Sequence, residues 1–179
     1  MIAYAITDPS TLNFHNLKAD IKRFATKAGM IVYRDKLTSN YIENAKKFIQ
    51  EAKQYSFSKI LLHSNYRLAY SLNADGVHLT STQFDDIAKA KDLGLFVVVS
   101  THSLEEALIA QSFGADMITF SPIFITPNKG KPKGIKELNR VASKLSIPLI
   151  ALGGIITKKH LSLCKKSKAE GFASIRWFS

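Results

Sequence analysis

Arg34 and Lys36 stand two residues apart in the string YRDK, so on an extended chain both side chains point to one side. The stretch TFSPIFITPNKGKPKG, Thr119–Gly134, opens as an apolar run and turns into a loop with Lys129, Lys131 and Lys133 among prolines and glycines. Gly153-Gly154 follows another apolar run and precedes a helix expected to start near Thr157, with Lys158 and Lys159 in its first turn. Glycines there let backbone amides come close to a ligand, and a helix start offers more of them. Two lysines in a first turn oppose the helix dipole and are favoured only if an anion lies nearby. Cations of this kind, converging on one rim, would hold a small anion, and phosphate is the expected one.

These groups converge only if the chain arranges them. Short β-rich runs recur at Ile2–Ile6, Met30–Tyr33, Lys59–His63, Gly76–Leu79, Leu95–Ser100, Met117–Phe120, Pro148–Leu152 and Gly171–Ile175. Most are continuously apolar, as strands buried on both faces must be. Amphipathic stretches lie between them, at Tyr41–Tyr55, Thr82–Leu93 and Ser103–Phe113, the last opening on the capping box Ser-Leu-Glu-Glu. Alternating strand and helix gives a parallel sheet, and eight such strands close into a minimal (β/α)₈ TIM barrel. A single domain over residues 1–179 is expected. The sequence stops soon after the eighth run, so no eighth helix is expected. The seam between the last and first strands is then covered by the long connection Ser10–Ala28. Alternatively, an apolar patch with Trp177 and Phe178 is left exposed there for a homodimer partner.

In such a barrel the ligand sits at the carboxyl ends of the strands. That rim receives Arg34 and Lys36, His63-Ser64-Asn65, Thr80–Gln83, Ser100-Thr101-His102, the lysine loop, Gly153-Gly154, Ser174 and Arg176. His78, inside an apolar run, reads as a hydrogen-bonded interior histidine, and His102 as a helix-start residue. His15 and His160 read as surface groups.

The totals narrow the classes. The charge is +11, from 25 Lys and Arg against 14 Asp and Glu. The lysines are spread over every expected helix rather than gathered in a stripe with aromatics, which argues for a solvated surface and against nucleic acid. No apolar run reaches the ~18 residues of a membrane span, and MIAYAITDPS lacks the basic start of a signal peptide. The single cysteine, Cys164, allows no internal disulfide, in keeping with a cytoplasmic setting.

The strings GADMITFSPIFITPNKG, IPLIALGGI, ADGVHL, YRDK and VSTHSLEEA resemble, in order and over nearly the whole chain, thiamine-phosphate synthase and the TenI-type thiazole tautomerases. The resemblance implies a transferase that joins an aminopyrimidine methyl pyrophosphate to a thiazole phosphate. It implies Arg34, Lys36, Lys129 and His63 as catalytic candidates. Ser100, Thr126, Asn128, Gly153, Gly154, Ala173 and Ser174 are implied as substrate- and phosphate-binding candidates. It also implies Mg²⁺, yet the places of the family's metal-binding carboxylates read His63-Ser64-Asn65 and Thr80–Gln83, with no carboxylate, so no metal ligand is assigned. The tautomerase histidine is replaced by Pro122. Three functions stay open: a divergent synthase, a tautomerase-like isomerase using His63 or His102, and a non-catalytic binder of thiazole or thiamine phosphate.

Overall fold

A computed structural model describes residues 1–179. Eight strands follow one another: β1 (Ile2–Ile6), β2 (Met30–Tyr33), β3 (Lys59–His63), β4 (Gly76–Leu79), β5 (Phe96–Thr101), β6 (Met117–Phe120), β7 (Leu149–Leu152) and β8 (Gly171–Ser174). Each pairs in parallel with the next, and β8 pairs with β1, so the sheet closes. Seven α-helices cover its outside: α1 (Leu17–Ala25), α2 (Tyr41–Ala52), α3 (Tyr66–Ser71), α4 (Asp85–Asp92), α5 (Leu104–Ser112), α6 (Gly134–Ala142) and α7 (Lys158–Lys165). No helix follows β8 within these residues, and none is long and apolar enough to cross a membrane.

The strands are continuously apolar because both faces are buried. One face fills the barrel with Tyr4, Ile6, Met30, Val32, Leu61 and Met117 among others. The other packs under the helices, as Ile31, Leu62, Val97, Ile118 and Phe120 do. Gly76 faces inward where a Cβ would lie 2.0 Å from the carbonyl oxygen of Phe96 and 2.8 Å from Leu61. Only glycine lets the barrel close there.

Helix ends depart from expectation by a few residues. α4 starts at Asp85 rather than Thr82, and ahead of it the Gln83 side chain accepts from Thr80 N–H and donates to the Ser64 carbonyl. In α5, Ser103 caps Glu106 as its sequence suggests, with Glu106 N–H donating to Ser103 Oγ at 3.1 Å. The Glu106 carboxylate reaches one residue further back, accepting from the His102 N–H at 2.6 Å.

The seam decides between the two expectations. Phe178 is fully buried and stacks on Phe172 of β8, with ring centroids 5.6 Å apart. Arg23 of α1 donates to the carbonyl oxygens of Phe178 and Thr11, both at 2.7 Å. The first connection therefore clamps the tail over the seam, and the exposed patch that would have carried a homodimer does not form around Phe178.

Candidate functional site at the barrel mouth

A cavity of about 370 Å³ opens at the carboxyl ends of the strands. Its walls include Arg34 and Lys36 after β2, Lys129 after β6 and Arg176 after β8. No aspartate or glutamate lines it, and none of the four cations takes part in an ion pair. The barrel does use carboxylates, but before the strands: Asp75 accepts from Ile60 N–H and Asp116 from Val97 N–H, each at 2.7 Å. The mouth is left positive and uncompensated. A larger, shallower depression of about 790 Å³ lies between the loops after β1 and β2. Its carboxylates are already partnered, Asp8 with Ser10 and Thr11, Asp20 with the Asn13 amide and Arg23, and Asp35 with the amides of Leu37 and Thr38.

Protonation follows from this field. The Arg34 guanidinium, then burial, then Lys129 lower the Lys36 pKa. Burial first, then Arg34 and Lys36, bring His63 down to about 4. Burial, with smaller effects of His63 and Arg34, brings His78 to about 3. Both histidines are neutral at pH 7.

The start of the lysine loop is tied to the end of β7. Ile123 N–H donates to the Leu152 carbonyl at 2.9 Å, and Phe124 N–H to that of Gly153 at 3.0 Å. Pro127 and Asn128, with Asn128 at φ +59°, then turn the chain so that Lys129 N–H meets the Thr126 carbonyl at 3.3 Å. Gly153 has φ +99° and Gly154 φ +70°. A Cβ on Gly154 would lie 2.6 Å from the Ile125 oxygen, and one on Gly153 2.8 Å from Pro122 Cα. The glycines are thus required by the neighbouring loop, a cause the sequence does not show. Their N–H groups, with those of Ile155, Ile175 and Arg176, find no carbonyl partner in the fold, and all five residues line the cavity.

Of the candidates named from sequence, Arg34, Lys36, His63, Ser100, Thr126, Lys129, Gly153, Gly154 and Ser174 meet at this cavity. Asn128 is exposed outside it and shapes the turn. Ala173 lies in the β8 ladder and points into the apolar barrel interior, below the cavity. The Ser174 hydroxyl is already committed, donating to the Ile155 carbonyl at 2.9 Å and accepting from Trp177 N–H at 3.2 Å. Two further histidines stand in the wall, His78, which was not expected there, and His102, the alternative acid/base named from sequence. His78 is an interior, hydrogen-bonded histidine as expected, but it also faces the cavity. Its alternation with inward Gly76 carried that signal. His102 also lines the cavity, its Nδ1 3.1 Å from the Ser121 carbonyl.

The donors present do not fit Mg²⁺. Gln83 Oε1 already accepts from Ser64 Oγ (3.0 Å), Thr80 N–H (3.1 Å) and Thr80 Oγ1 (3.1 Å). Asn65 Oδ1 caps α3 through Leu68 N–H. No three His, Cys, Asp or Glu side chains come together. A hard cation wants free carboxylate oxygens, and these loops supply none.

A closed barrel of parallel strands, with cations and free amides around its mouth, is the build of a protein that takes a small anionic ligand. The chain belongs to the thiamine monophosphate synthase family, whose model matches residues 3–178. It is 34% identical to "Putative thiamine-phosphate synthase 2" of Aquifex aeolicus, over 98% of this chain and 96% of that protein. It is 30% identical to the thiamine-phosphate synthase of Syntrophomonas wolfei, over 96% of this chain and 85% of that one. The thiamine phosphate pyrophosphorylase of Pyrococcus furiosus is similar in structure, with a TM-score of 0.82 at 27% identity, covering 97% of this chain and 85% of that chain.

Proposed function

We propose that the cavity binds phosphorylated heterocycles of thiamine biosynthesis, and that the chain is a synthase-type transferase joining a pyrimidine pyrophosphate to a thiazole phosphate. The supporting observation is the mouth itself: four unpaired cations, five free amides and no carboxylate. In the reaction the bond between the pyrimidine methylene carbon and the pyrophosphate oxygen breaks, and pyrophosphate leaves with the electron pair. The thiazole nitrogen then supplies the pair for a new carbon–nitrogen bond.

Arg34, Lys36 and Lys129 offset the charge that gathers on the departing pyrophosphate. The amides of Gly153, Gly154 and Ile155, with those of Ile175 and Arg176, hold the thiazole phosphate. Thr126 and Ser100 help to position the substrates. His63, neutral between two cations, acts as an uncharged hydrogen-bonding wall until an anion arrives. Because the loops after β3 and β4 hold no free carboxylate, these side chains neutralise the pyrophosphate themselves.

The same loss of carboxylates favours a second reading, in which the cavity binds thiazole phosphate alone and His63 moves a ring proton, or no chemistry follows. One experiment separates these. Pyrophosphate release from the pyrimidine substrate is followed with EDTA present, with and without thiazole phosphate. Release that requires thiazole phosphate is expected. Exchange of a thiazole proton without any pyrophosphate release would replace the synthase reading with the isomerase. Saturable thermal stabilisation with neither reaction would leave a binder.

A further inference from the structure

We propose that Tyr4 and His78 form a positioning pair that commits the Ser100 hydroxyl to donate a hydrogen bond into the cavity. The ligand's identity rests on the functional reading above, but the hydrogen-bond directions follow from the barrel alone.

Tyr4 of β1 points into the barrel and is fully buried. Its hydroxyl lies 2.9 Å from Nδ1 of His78 on β4. The other ring nitrogen, Nε2, lies 3.0 Å from Oγ of Ser100 on β5. The directions of these two bonds are fixed by where each proton can go. Burial raises the Tyr4 pKa well above its ordinary value, so the phenol keeps its proton. That proton has one acceptor within reach, Nδ1, since Tyr4 is otherwise surrounded by the apolar filling of the barrel, Met30 and Ala173 among it. His78 is neutral and carries a single ring proton.

A proton on Nδ1 would face the phenol and strand the Tyr4 proton in apolar surroundings, where an unmade bond is costly. The ring proton therefore sits on Nε2 and is donated to Ser100 Oγ, because the bond at one ring nitrogen sets the state of the other. A serine hydroxyl has one proton and two lone pairs. His78 occupies a lone pair, and no protein acceptor takes the proton. Ser100 lines the cavity, so that proton is presented to the ligand. The site accordingly favours a ligand with a lone pair at this point, a heterocycle nitrogen or an oxygen. Tyr4 and His78 act through Ser100 and do not touch the ligand's reacting atoms by this inference.

The test reads the tautomer directly. Long-range nitrogen–proton correlation on the histidine side chains of the full chain reports which ring nitrogen is protonated, with His78 assigned by its loss in His78→Gln. The expected result is Nε2–H for His78 in the wild type and in Ser100→Ala, and exchange between both tautomers in Tyr4→Phe. Calorimetric titration with thiamine phosphate is expected to show about tenfold weaker binding for Ser100→Ala and about two- to threefold weaker binding for Tyr4→Phe. An Nδ1–H tautomer in the wild type overturns the proposal. So does Tyr4→Phe with a pure Nε2–H tautomer and undiminished affinity. A wild-type chain with the expected tautomer that does not bind thiamine phosphate counts against the functional reading of the cavity, not against the direction of these bonds.

Discussion

His63→Gln should change how the protein responds to acid, and the size of the change follows from the cavity. In the fold, burial and the charges of Arg34 and Lys36 hold His63 near 4, whereas an unfolded histidine titrates near 6.5. Between those values the unfolded chain binds a proton that the native chain refuses. Stability therefore rises with pH in this window: the contribution is fully present above 6.5 and is lost as pH falls towards 4. At about 1.4 kcal/mol per pH unit, the gap amounts to about 3 kcal/mol. Glutamine does not titrate, so the wild-type stability minus the variant stability should fall by about that amount on acidification. Urea unfolding of both chains at closely spaced pH values from 7.5 to 4 measures it, and carboxylate titration common to both cancels. Stability curves that stay parallel through the window would refute the placement of a neutral His63 against the cations. Because two of the three causes are cations, saturating pyrophosphate should raise the His63 pKa and shrink the difference.

Other outcomes follow from named contacts. Arg34→Gln should return the Lys36 pKa towards its ordinary value, since Arg34 is the largest cause of its depression, and should weaken pyrophosphate binding about tenfold or more by calorimetry. Gly154→Ala places a Cβ 2.6 Å from the Ile125 oxygen at φ +70°, and should cost about 1–3 kcal/mol in chemical unfolding. Phe178→Ala should cost about 3–5 kcal/mol by removing a fully buried ring from the seam, and an unchanged Tm would show that the tail does not cover it. Pyrophosphate affinity measured in EDTA should match that measured in millimolar Mg²⁺ without protein-bound metal, and strong Mg²⁺ enhancement with saturable Mg²⁺ binding by the protein alone would contradict the donor assignment after β3 and β4.

The barrel was legible because a strand buried on two faces must be apolar throughout, and eight such runs are separated by helical stretches. Their positions in the fold differ from the sequence reading by a residue or so at β5, β7 and β8. The cationic rim was legible for a related reason: parallel strands send every following loop to one end, so Arg34, Lys36 and Lys129 could be brought together by counting strands. What stayed illegible was the surroundings of residues whose role depends on a neighbour distant in the fold. Asn128 looked like a ligand contact and is the left-handed corner of a turn. Ser174 does reach the cavity, but its hydroxyl is tied to Ile155 and Trp177. Whether Phe178 was covered stayed open, because nothing local reveals that Arg23 holds its carbonyl from across the seam.

Sequence alone determined the periodicity, the order of strands and helices, the family resemblance and the excess of positive charge at the loop ends. These are properties of the chain read locally, and burial pattern and loop direction convert them into architecture. Tertiary structure alone decided which polar groups remain free. The Gly153 and Gly154 amides are open because the lysine loop packs on the other side of the same backbone. Gln83 is closed because Ser64 and Thr80 reach it first. His78 is fixed between Tyr4 and Ser100, 74 and 22 residues away along the chain. A hydrogen bond is spent once, and which partner spends it depends on distances that only the closed barrel sets.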